Sequence, residues 1–201
     1  MLMVEGLDNV LPYDGVVQYH GALMGKKPAD SYFAQLRQDI AWQHDVVQMF
    51  GKTIITKRKV SWYADKAFSY TYSGKARVAL PWVAVLSELK ARVERECGTC
   101  FNSCLLNLYH NGSEGMAWHS DDERDLKQEE PIASLSFGAP RDFCFKHKRS
   151  AEKRTLVLEH GSLLVMKGAT QRHWLHALPK RKGVKTPRIN LTFRVMVSPP
   201  L

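Results

Sequence analysis

The motif His119-Ser120-Asp121 offers two metal ligands at a spacing that suits one site. In an extended chain, residues two apart point to the same side, so the imidazole and the carboxylate can face one ion. A second histidine would complete a two-histidine, one-carboxylate facial triad, which is the ligand set of non-haem iron(II) oxygenases. The same spacing is common in surface pairs, so the motif alone only nominates a candidate.

The second histidine must come from further along the chain. The candidates are His147, His160, His173 and His176. His173 and His176 lie in an aromatic-rich segment shortly before the last predicted strand. The residues alone do not choose among the four.

That last strand, from Arg188 to Val195, alternates strictly between polar and apolar residues. The apolar face should pack in the core, and the polar face either meets solvent or lines a polar cavity. A guanidinium matches a carboxylate in bidentate geometry, so an arginine here could hold a dicarboxylate. Because six strand residues span about 20 Å, Arg188 and Arg194 can both reach a five-carbon acid only if the strand bends or the side chains converge. The polar face consists of Arg188, Asn190, Thr192 and Arg194.

Asn107 and Tyr109 share one face of an earlier predicted strand. Their amide and phenol groups could hydrogen-bond the same acid. The alternative is that Tyr109 packs within the sheet with its hydroxyl at the surface.

The composition favours a single compact domain that binds a polyanion. The chain has 201 residues, with 29 Lys and Arg against 20 Asp and Glu, a net charge of +9 and a pI near 9.4. Basic residues cluster in three segments, at 57–59, 146–154 and 180–185. Nucleic acid is the commonest partner of such surfaces, although each cluster alone is typical of a solvated loop.

Other functional classes find little support. No apolar run reaches the roughly 18 residues that a membrane span needs, and the N-terminus lacks the features of a secretory signal. We therefore expect an intracellular protein, in the cytoplasm if bacterial and in the nucleus if eukaryotic. Four cysteines do not indicate a disulfide scaffold in this setting, and Cys97 and Cys100 lack the second pair of a zinc ribbon. We interpret them as ordinary thiols rather than as a redox or metal site.

Helices are predicted in the first half of the chain and strands mainly in the second. One helix carries Phe33, Leu36 and Ile40 on one face, with Asp30 or Ser31 as its cap, and Pro81 opens another that ends at Gly98. This pattern predicts a β-sandwich or jelly roll with helices on one sheet. Eight strands are predicted, at 44–50, 53–62, 101–110, 132–137, 142–146, 155–158, 162–166 and 188–195.

Taken together, the motifs resemble those of the AlkB family of DNA-repair dioxygenases, and especially the animal nuclear homologue that repairs double-stranded DNA. The likeness extends from about residue 5 to about residue 197. It consists of Asn-x-Tyr, His-x-Asp-Asp-Glu-Arg, Pro-Ile-Ala-Ser-Leu-Ser-Phe-Gly-Ala, His-Gly-Ser-Leu-Leu, His-x-Leu-Pro and Pro-Arg-x-Asn-Leu-Thr-Phe-Arg, in that order.

The resemblance implies an α+β, mainly β fold: a double-stranded β-helix (jelly roll) with N-terminal helices packed on one sheet and a nucleotide-recognition lid. One domain covers 1–201, with helices and lid in about 1–100 and the catalytic core in about 101–197. Fe(II) would bind His119, Asp121 and His176, since His176 occupies the family's His-x-Leu-Pro position. The cosubstrates would be O2 and 2-oxoglutarate, with Arg194 pairing with the distal carboxylate. Residues around 2-oxoglutarate would be Asn107, Tyr109, Arg188, Asn190, Thr192 and Arg194.

The resemblance also nominates residues that bind the substrate. The aromatics Tyr70 and Tyr72 match the lid segment that holds a flipped base, although the animal nuclear homologue has Phe where Tyr72 stands. Asp122 matches a carboxylate that contacts the base's exocyclic nitrogen. Phe50 matches the finger that fills the gap left by the base, which favours duplex DNA. The full substrate set is Phe50, Gly51, Lys52, Arg58, Tyr70, Tyr72, Asp122 and Glu123.

The implied reaction is oxidative demethylation of 1-methyladenine, 3-methylcytosine and related lesions, with release of succinate, CO2 and formaldehyde. The expected partner is alkylated DNA, duplex in preference to single strands, and the expected state is a monomer without membrane contact. Residues 53–55 and the 180–185 loop differ from the animal protein, which leaves the strand preference open. Two alternatives remain: the same chemistry on RNA, and a lesion-binding module without catalysis.

Overall fold

The computed structural model describes residues 7–49, 52–72 and 75–197. Two antiparallel sheets form the jelly roll, and two further strands pair with each other in a small third sheet. The large sheet has the order β1-β11-β8-β13-β6-β3-β2, and the small sheet has the order β10-β9-β12-β7. The strands are β1 (Val16–Ala22), β2 (Gln43–Met49), β3 (Lys52–Ala64), β4 (Ser69–Tyr72), β5 (Lys75–Val78), β6 (Ser103–Tyr109), β7 (Met116–His119), β8 (Ile132–Gly138), β9 (Arg141–His147), β10 (Lys153–Leu158), β11 (Ser162–Lys167), β12 (Trp174–Leu178) and β13 (Arg188–Arg194). The helices are α1 (Lys26–Asp39), α2 (Ala84–Cys97) and α3 (Thr170–His173).

Strand β13 lies inside the large sheet, and its two faces meet different environments. It pairs with β8 on one side and β6 on the other. Its apolar residues Ile189, Leu191 and Phe193 are fully buried in the core cluster that also contains residues of α1 and α2. The opposite, polar face is buried as well, except at Arg194. Of the two predicted alternatives, this face therefore lines an internal cavity and does not face solvent.

Helices α1 and α2 cover the outer face of the large sheet, as predicted. The first helix begins at Lys26, with Gly25 as its N-cap, so the prediction that Asp30 or Ser31 caps it is wrong. Pro28 lies in the first turn, where its missing N–H costs nothing, and this allows the earlier start. Asp30 instead forms an ion pair with Lys26 at 2.6 Å.

The second helix begins at Ala84, three residues later than Pro81, and it ends as predicted. Gly98 adopts the left-handed conformation with φ of 62°, and its N–H donates to the carbonyl of Glu94. Glycine takes this conformation without the steric penalty that a Cβ imposes. The position of the cap is therefore confirmed.

All eight predicted strands are present, and their ends differ from the prediction by at most two residues. Five further strands were not predicted: β1, β4, β5, β7 and β12. Two of these matter for function, because β7 carries His119 and β12 carries His176. Both have five residues or fewer, so they are too short for periodicity to reveal them.

The first hundred residues contribute more than helices and a lid. Strands β1, β2 and β3 belong to the large sheet, where β1 pairs with β11 and β3 pairs with β6. The hairpin of β4 and β5 forms its own two-stranded sheet. Among the described residues, no helix has the length and apolar character to span a membrane.

Candidate active site

A cavity of about 350 Å³ lies between the two sheets. Its walls come mainly from β3, β6 and β13 of the large sheet and from β7 and β12 of the small sheet, and they combine polar with apolar side chains. Eleven of the predicted site residues line it: Arg58, Asn107, Tyr109, His119, Asp121, Glu123, His176, Arg188, Asn190, Thr192 and Arg194.

The pairing of β7 with β12 brings two histidines together. His119 lies directly opposite His176 in the antiparallel register, and residues so placed share one face of a sheet. Asp121 Oδ1 is 3.7 Å from His119 Nε2 and 3.9 Å from His176 Nε2. The three ligand atoms all lie within 4.8 Å of one another, which is compact enough for a single metal ion.

Both imidazoles present a nitrogen lone pair to the centre of this triad. His119 Nδ1 is 2.8 Å from the carbonyl of Ala117, so Nδ1 carries the proton and Nε2 is free to ligate. His176 is only 4 % exposed, and burial lowers the pKa of its imidazole to about 4. A neutral imidazole is the form that binds metal, and the donor set of two nitrogens and one carboxylate fits iron(II).

Asp121 is held at two points, which leaves one oxygen for the metal. Its Oδ2 accepts from Arg194 Nη2 at 2.9 Å, while Oδ1 faces the two histidines. Burial would raise the pKa of this carboxyl, but the positive charge of Arg194 above all opposes burial, and the pKa lies below its usual range. The carboxylate is therefore ionised and oriented before any metal arrives.

The second point of attachment is Gln171, a residue that the sequence analysis missed. Gln171 Oε1 accepts the backbone N–H of Asp121 at 2.9 Å, and its Nε2 lies 3.3 Å from Met166 Sδ. Ser120 Oγ donates to the carbonyl of Trp174 at 3.0 Å. These two bonds tie the segment bearing Asp121 to the chain that carries His176.

Replacing Gln171 with leucine should weaken metal binding by about 10- to 100-fold, the range for losing a group that orients a ligand. The buried N–H of Asp121 would lose its acceptor, and the ligand loop would no longer be fixed against α3. Competition between the protein and a chelator for Fe(II) or Co(II) measures the effect. The matched control is Met166→Leu, which removes only the sulfur contact of Gln171 and should bind metal like wild type. Equal affinities for Gln171→Leu and wild type would contradict this role.

At the far end of β13, Arg188 forms a cationic pocket. Its guanidinium is buried, with Nη2 2.9 Å from both Ser136 Oγ and Asn190 Oδ1, and it lies 5.6 Å from the ring centroid of Tyr109. Burial, together with the nearby charge of Arg141, lowers the pKa of Arg188 to about 10. Among the described residues no carboxylate pairs with it. A buried charge without a counter-ion is costly, so this pocket has the chemistry of an anion site.

The position of Arg194 does not favour the expectation that it pairs with the distal carboxylate of 2-oxoglutarate. Its guanidinium contacts Asp121 and lies 3.8 Å from Glu123 Oε1, so it is at the metal end of the cavity. Arg188 lies six residues away on the same strand, at the opposite end. Arg188 is therefore the better partner for a carboxylate remote from the metal.

The two acidic residues after Asp121 have different environments. Asp122 is 62 % exposed at its side chain, 3.9 Å from Lys148 Nζ, and does not line the cavity. Glu123 does line it, and its Oε2 is buried without a hydrogen-bond partner among the described residues. Burial raises the pKa of Glu123, opposed by Arg194. The expectation that Asp122 contacts a bound base is thus not supported by its position, whereas Glu123 faces the cavity.

Arg58 is part of the cavity wall. It is 8 % exposed, forms an ion pair with Asp45, and its Nη1 lies 3.2 Å from Met116 Sδ. Its charge is largely satisfied within the protein, so it shapes the cavity and does not present a free cation to solvent.

The remaining substrate predictions involve the two hairpins. Phe50 and Gly51 lie outside the described residues. Lys52 begins β3, and Tyr70 and Tyr72 lie on β4. The roles assigned to these five residues stay predictions.

The other candidate histidines lie away from the cavity. His160 contacts Asp30 at 3.2 Å and accepts the N–H of Gly138. His147 and His173 form a second group with Asp14. His147 Nδ1 accepts from the backbone N–H of Ser150, so its proton is on Nε2, which lies 3.3 Å from Asp14 Oδ2 without the geometry of a hydrogen bond. With Nδ1 engaged and Nε2 protonated, this tautomer offers no lone pair to a metal.

The cysteines are free thiols. Burial raises the pKa of Cys97 to about 11 and that of Cys104 well above its usual value. Because the thiolate is the reactive form, these positions agree with the interpretation as ordinary thiols.

Comparison with known proteins identifies related sequences. The 2OG-Fe(II) oxygenase superfamily matches residues 15–194. DNA oxidative demethylase ALKBH2 of Mus musculus is 43 % identical over 192 residues, covering 90 % of this chain and 80 % of that protein. ALKBH2 of Homo sapiens is 41 % identical over 192 residues, covering 90 % and 74 %. The alpha-ketoglutarate-dependent dioxygenase alkB homolog 3 of Homo sapiens is 38 % identical over 209 residues, covering 99 % and 70 %.

The fold has a counterpart among solved structures. The structure of OsALKBH1 superposes with a TM-score of 0.63 at 14 % identity and covers 92 % of this chain and 98 % of that chain. This likeness supports the jelly-roll architecture. With the superfamily match across most of the chain and the identities above, the chain belongs to the AlkB family of 2OG-Fe(II) dioxygenases.

Proposed function

We propose that this protein repairs DNA by oxidative demethylation of alkylated bases, with Fe(II), 2-oxoglutarate and O2. The observation that carries the proposal is one cavity that holds a His-Asp-His triad, of which Asp121 and His176 are buried, and a buried arginine with no counter-ion among the described residues. The names of the ALKBH2 relatives specify DNA as the substrate of those proteins. Lesions of the class of 1-methyladenine and 3-methylcytosine suit the acidic Glu123 in the cavity.

The two ends of β13 would have different functions, one at the metal and one at the cosubstrate. His119, Asp121 and His176 would hold Fe(II), and Arg194 keeps Asp121 ionised. Arg188 would bind the distal carboxylate of 2-oxoglutarate, supported by neighbouring groups. When bound, iron and 2-oxoglutarate supply the oxidant that hydroxylates the N-methyl group, after which formaldehyde leaves and the base is restored. The supporting groups for 2-oxoglutarate would be Asn107, Tyr109, Asn190 and Thr192, which all line the cavity.

A base can reach this cavity only outside the helical stack, since the triad is recessed between two sheets. The tip between β2 and β3 is the candidate wedge, with Phe50 as the predicted finger. Next to it, the side chains of Ile54 and Ile55 are 42 % and 68 % exposed. Exposed apolar side chains on β3 could contact an unstacked duplex beside the predicted finger. This supports duplex DNA as the preferred substrate, with single strands also used.

We extend the proposal to the domain organisation, the oligomeric state and the cellular compartment. The chain would act as one domain and as a monomer within the cell, in the nucleus of a eukaryote or the cytoplasm of a bacterium. RNA as substrate and lesion binding without catalysis are the competing functions. An intact ligand triad favours catalysis over simple binding.

The test is repair of 1-methyladenine in a duplex oligonucleotide supplied with Fe(II), 2-oxoglutarate and O2, with His119→Ala as control. Loss of the methyl group and release of formaldehyde, absent in the control, would support the proposal. Succinate formation without repair would mean that the iron site is right and the substrate is wrong. No turnover with iron bound would favour the binding module, and faster repair of a matched RNA would favour RNA as the substrate.

Replacing Glu123 with glutamine should lower kcat/KM for repair of cationic methylated bases by about 10- to 100-fold, which corresponds to one hydrogen bond to a charged group. The neutral amide cannot offset the positive charge of the base. The matched control is Asp122→Asn, which changes a neighbouring carboxylate that does not line the cavity and should repair like wild type. The assignment fails if Asp122→Asn is the more damaged variant.

A further inference from the structure

Trp118 is an exposed aromatic side chain next to a metal ligand. It lies on β7, the edge strand of the small sheet, and is 39 % exposed. Its neighbour His119 lines the cavity, so the two successive side chains lie on opposite faces of the strand. An exposed aromatic ring of this size offers a face on which another ring can stack.

The ring has a cationic neighbour on the same outer face. Lys146 Nζ on β9 is 5.2 Å from the ring centroid of Trp118. Lys153 on β10 is paired directly opposite Lys146 in the register. Like charges at directly opposite positions of a sheet destabilise it, and among the described residues neither lysine has a carboxylate within ion-pair distance. The repulsion would be relieved by a bound polyanion.

A second tryptophan–lysine pair shows what a purely structural arrangement looks like here. Lys90 Nζ also lies 5.2 Å from the ring centroid of Trp82. There the lysine is neutralised, at 3.4 Å from Asp65 and 3.7 Å from Glu94, and Trp82 Nε1 donates to Asp65. The pair at Trp118 has no such acidic partners, so its charge faces outward.

We propose that Trp118, Lys146 and Lys153 form a platform for an unpaired nucleotide that flanks the lesion on the same DNA strand. The base would stack on the indole, while the two ammonium groups would bind the adjacent phosphates. This inference rests on the proposed function, and it adds a contact specific to single-stranded DNA. Bases in an intact duplex are already stacked on one another, so the platform should matter less there.

The test is the affinity for unmodified single-stranded oligothymidine and for a duplex of equal length, measured by fluorescence anisotropy. Trp118→Ala should weaken single-strand binding by about 5- to 150-fold, the equivalent of one base–aromatic stack. Trp118→Phe should restore most of it, because the ring is kept. Trp82→Ala, which removes the matched pair, should bind like wild type. Duplex binding should change much less than single-strand binding in Trp118→Ala.

The charge contribution is measured separately from stacking. In the double variant Lys146→Met and Lys153→Met, the slope of log affinity against log salt should fall by about 1.4, which is two phosphate contacts on a single strand. Single-strand affinity of Trp118→Ala equal to wild type, or an equal loss in Trp82→Ala, would overturn the platform. If wild type repairs a duplex lesion while Trp118→Ala binds normally, only this inference fails. If wild type binds no oligonucleotide and repairs none, the proposed function fails with it.

Discussion

His176→Ala should lose metal binding and repair, whereas His173→Ala should keep both. His176 is buried between the sheets with its Nε2 3.9 Å from Asp121 Oδ1, so its loss removes one of the three ligand atoms of the site. Loss of a ligand costs more than loss of an orienting group, so the affinity for Fe(II) should fall by more than about a hundredfold. Anaerobic titration with Fe(II), followed by an assay of repair, measures both effects.

His173 is a strict control because it lies three residues away in the same aromatic segment. It ends α3 and stacks at 6.3 Å on His147, outside the cavity. Its replacement tests whether any histidine of the segment could serve. Should His173→Ala lose iron while His176→Ala retains it, the triad would have to be reassigned to the group of Asp14, His147 and His173.

The choice between these two histidines shows where prediction from the sequence stops. The residues leave four candidates, and only the family resemblance selects His176. In the structure, the change from helix to strand at Trp174 turns His176 toward β7 and leaves His173 outside. Neither the four-residue helix nor the five-residue strand has enough periodicity to be predicted, so the orientation of either ring could not be derived.

The long alternating strand behaves differently. The period of two in β13 predicted correctly which side chains share a face, because its apolar side had a helix-covered core to enter. Alternation could also have been used to choose between Asp122 and Glu123 as the residue that faces the cavity. Continued from His119 and Asp121, a step of two reaches Glu123 and passes over Asp122, which matches the residues that line the cavity.

The role of Gln171 could not be predicted from the sequence for a different reason. Its function depends on the backbone N–H of Asp121, fifty residues away in sequence, and no side-chain motif reports a backbone partner. Contacts of this kind depend on how two segments that are distant in sequence are placed next to each other in the folded protein. They become visible only when the fold is known.

Arg188→Met should abolish tight binding of 2-oxoglutarate and, unusually for a site residue, should not destabilise the ligand-free protein. Truncating one partner of a buried charge pair typically costs about 2–5 kcal/mol, which is about 30- to several-thousand-fold in Kd. Without the ligand, however, Arg188 is a buried cation with only neutral partners. Replacing even a buried ion pair with apolar residues of similar volume is often neutral or stabilising by about 1–4 kcal/mol, and a buried cation that lacks a partner charge should be no harder to replace.

The measurements are anaerobic calorimetry with Fe(II) and 2-oxoglutarate, and thermal unfolding with and without the cosubstrate. Wild type should gain stability on adding 2-oxoglutarate, by about 2.7 kcal/mol at a hundredfold excess over Kd. Arg188→Met should show no gain from a baseline at or above that of wild type. Arg188→Lys keeps the charge without the planar fork and should bind with intermediate affinity.

Arg194→Met is the contrasting variant, because it acts at the other end of the strand. Removing Arg194 leaves Asp121 buried without its cation, so the pKa of that carboxyl should rise. The main effect should therefore be a lower affinity for Fe(II), and not for 2-oxoglutarate. Arg188→Met, by contrast, should leave Fe(II) affinity near that of wild type. If Arg188→Met bound 2-oxoglutarate normally while Arg194→Met bound iron but not 2-oxoglutarate, the distal carboxylate would belong to Arg194. The two arginines would then have exchanged the roles that their positions give them: one orienting the metal ligand, the other neutralised by the cosubstrate.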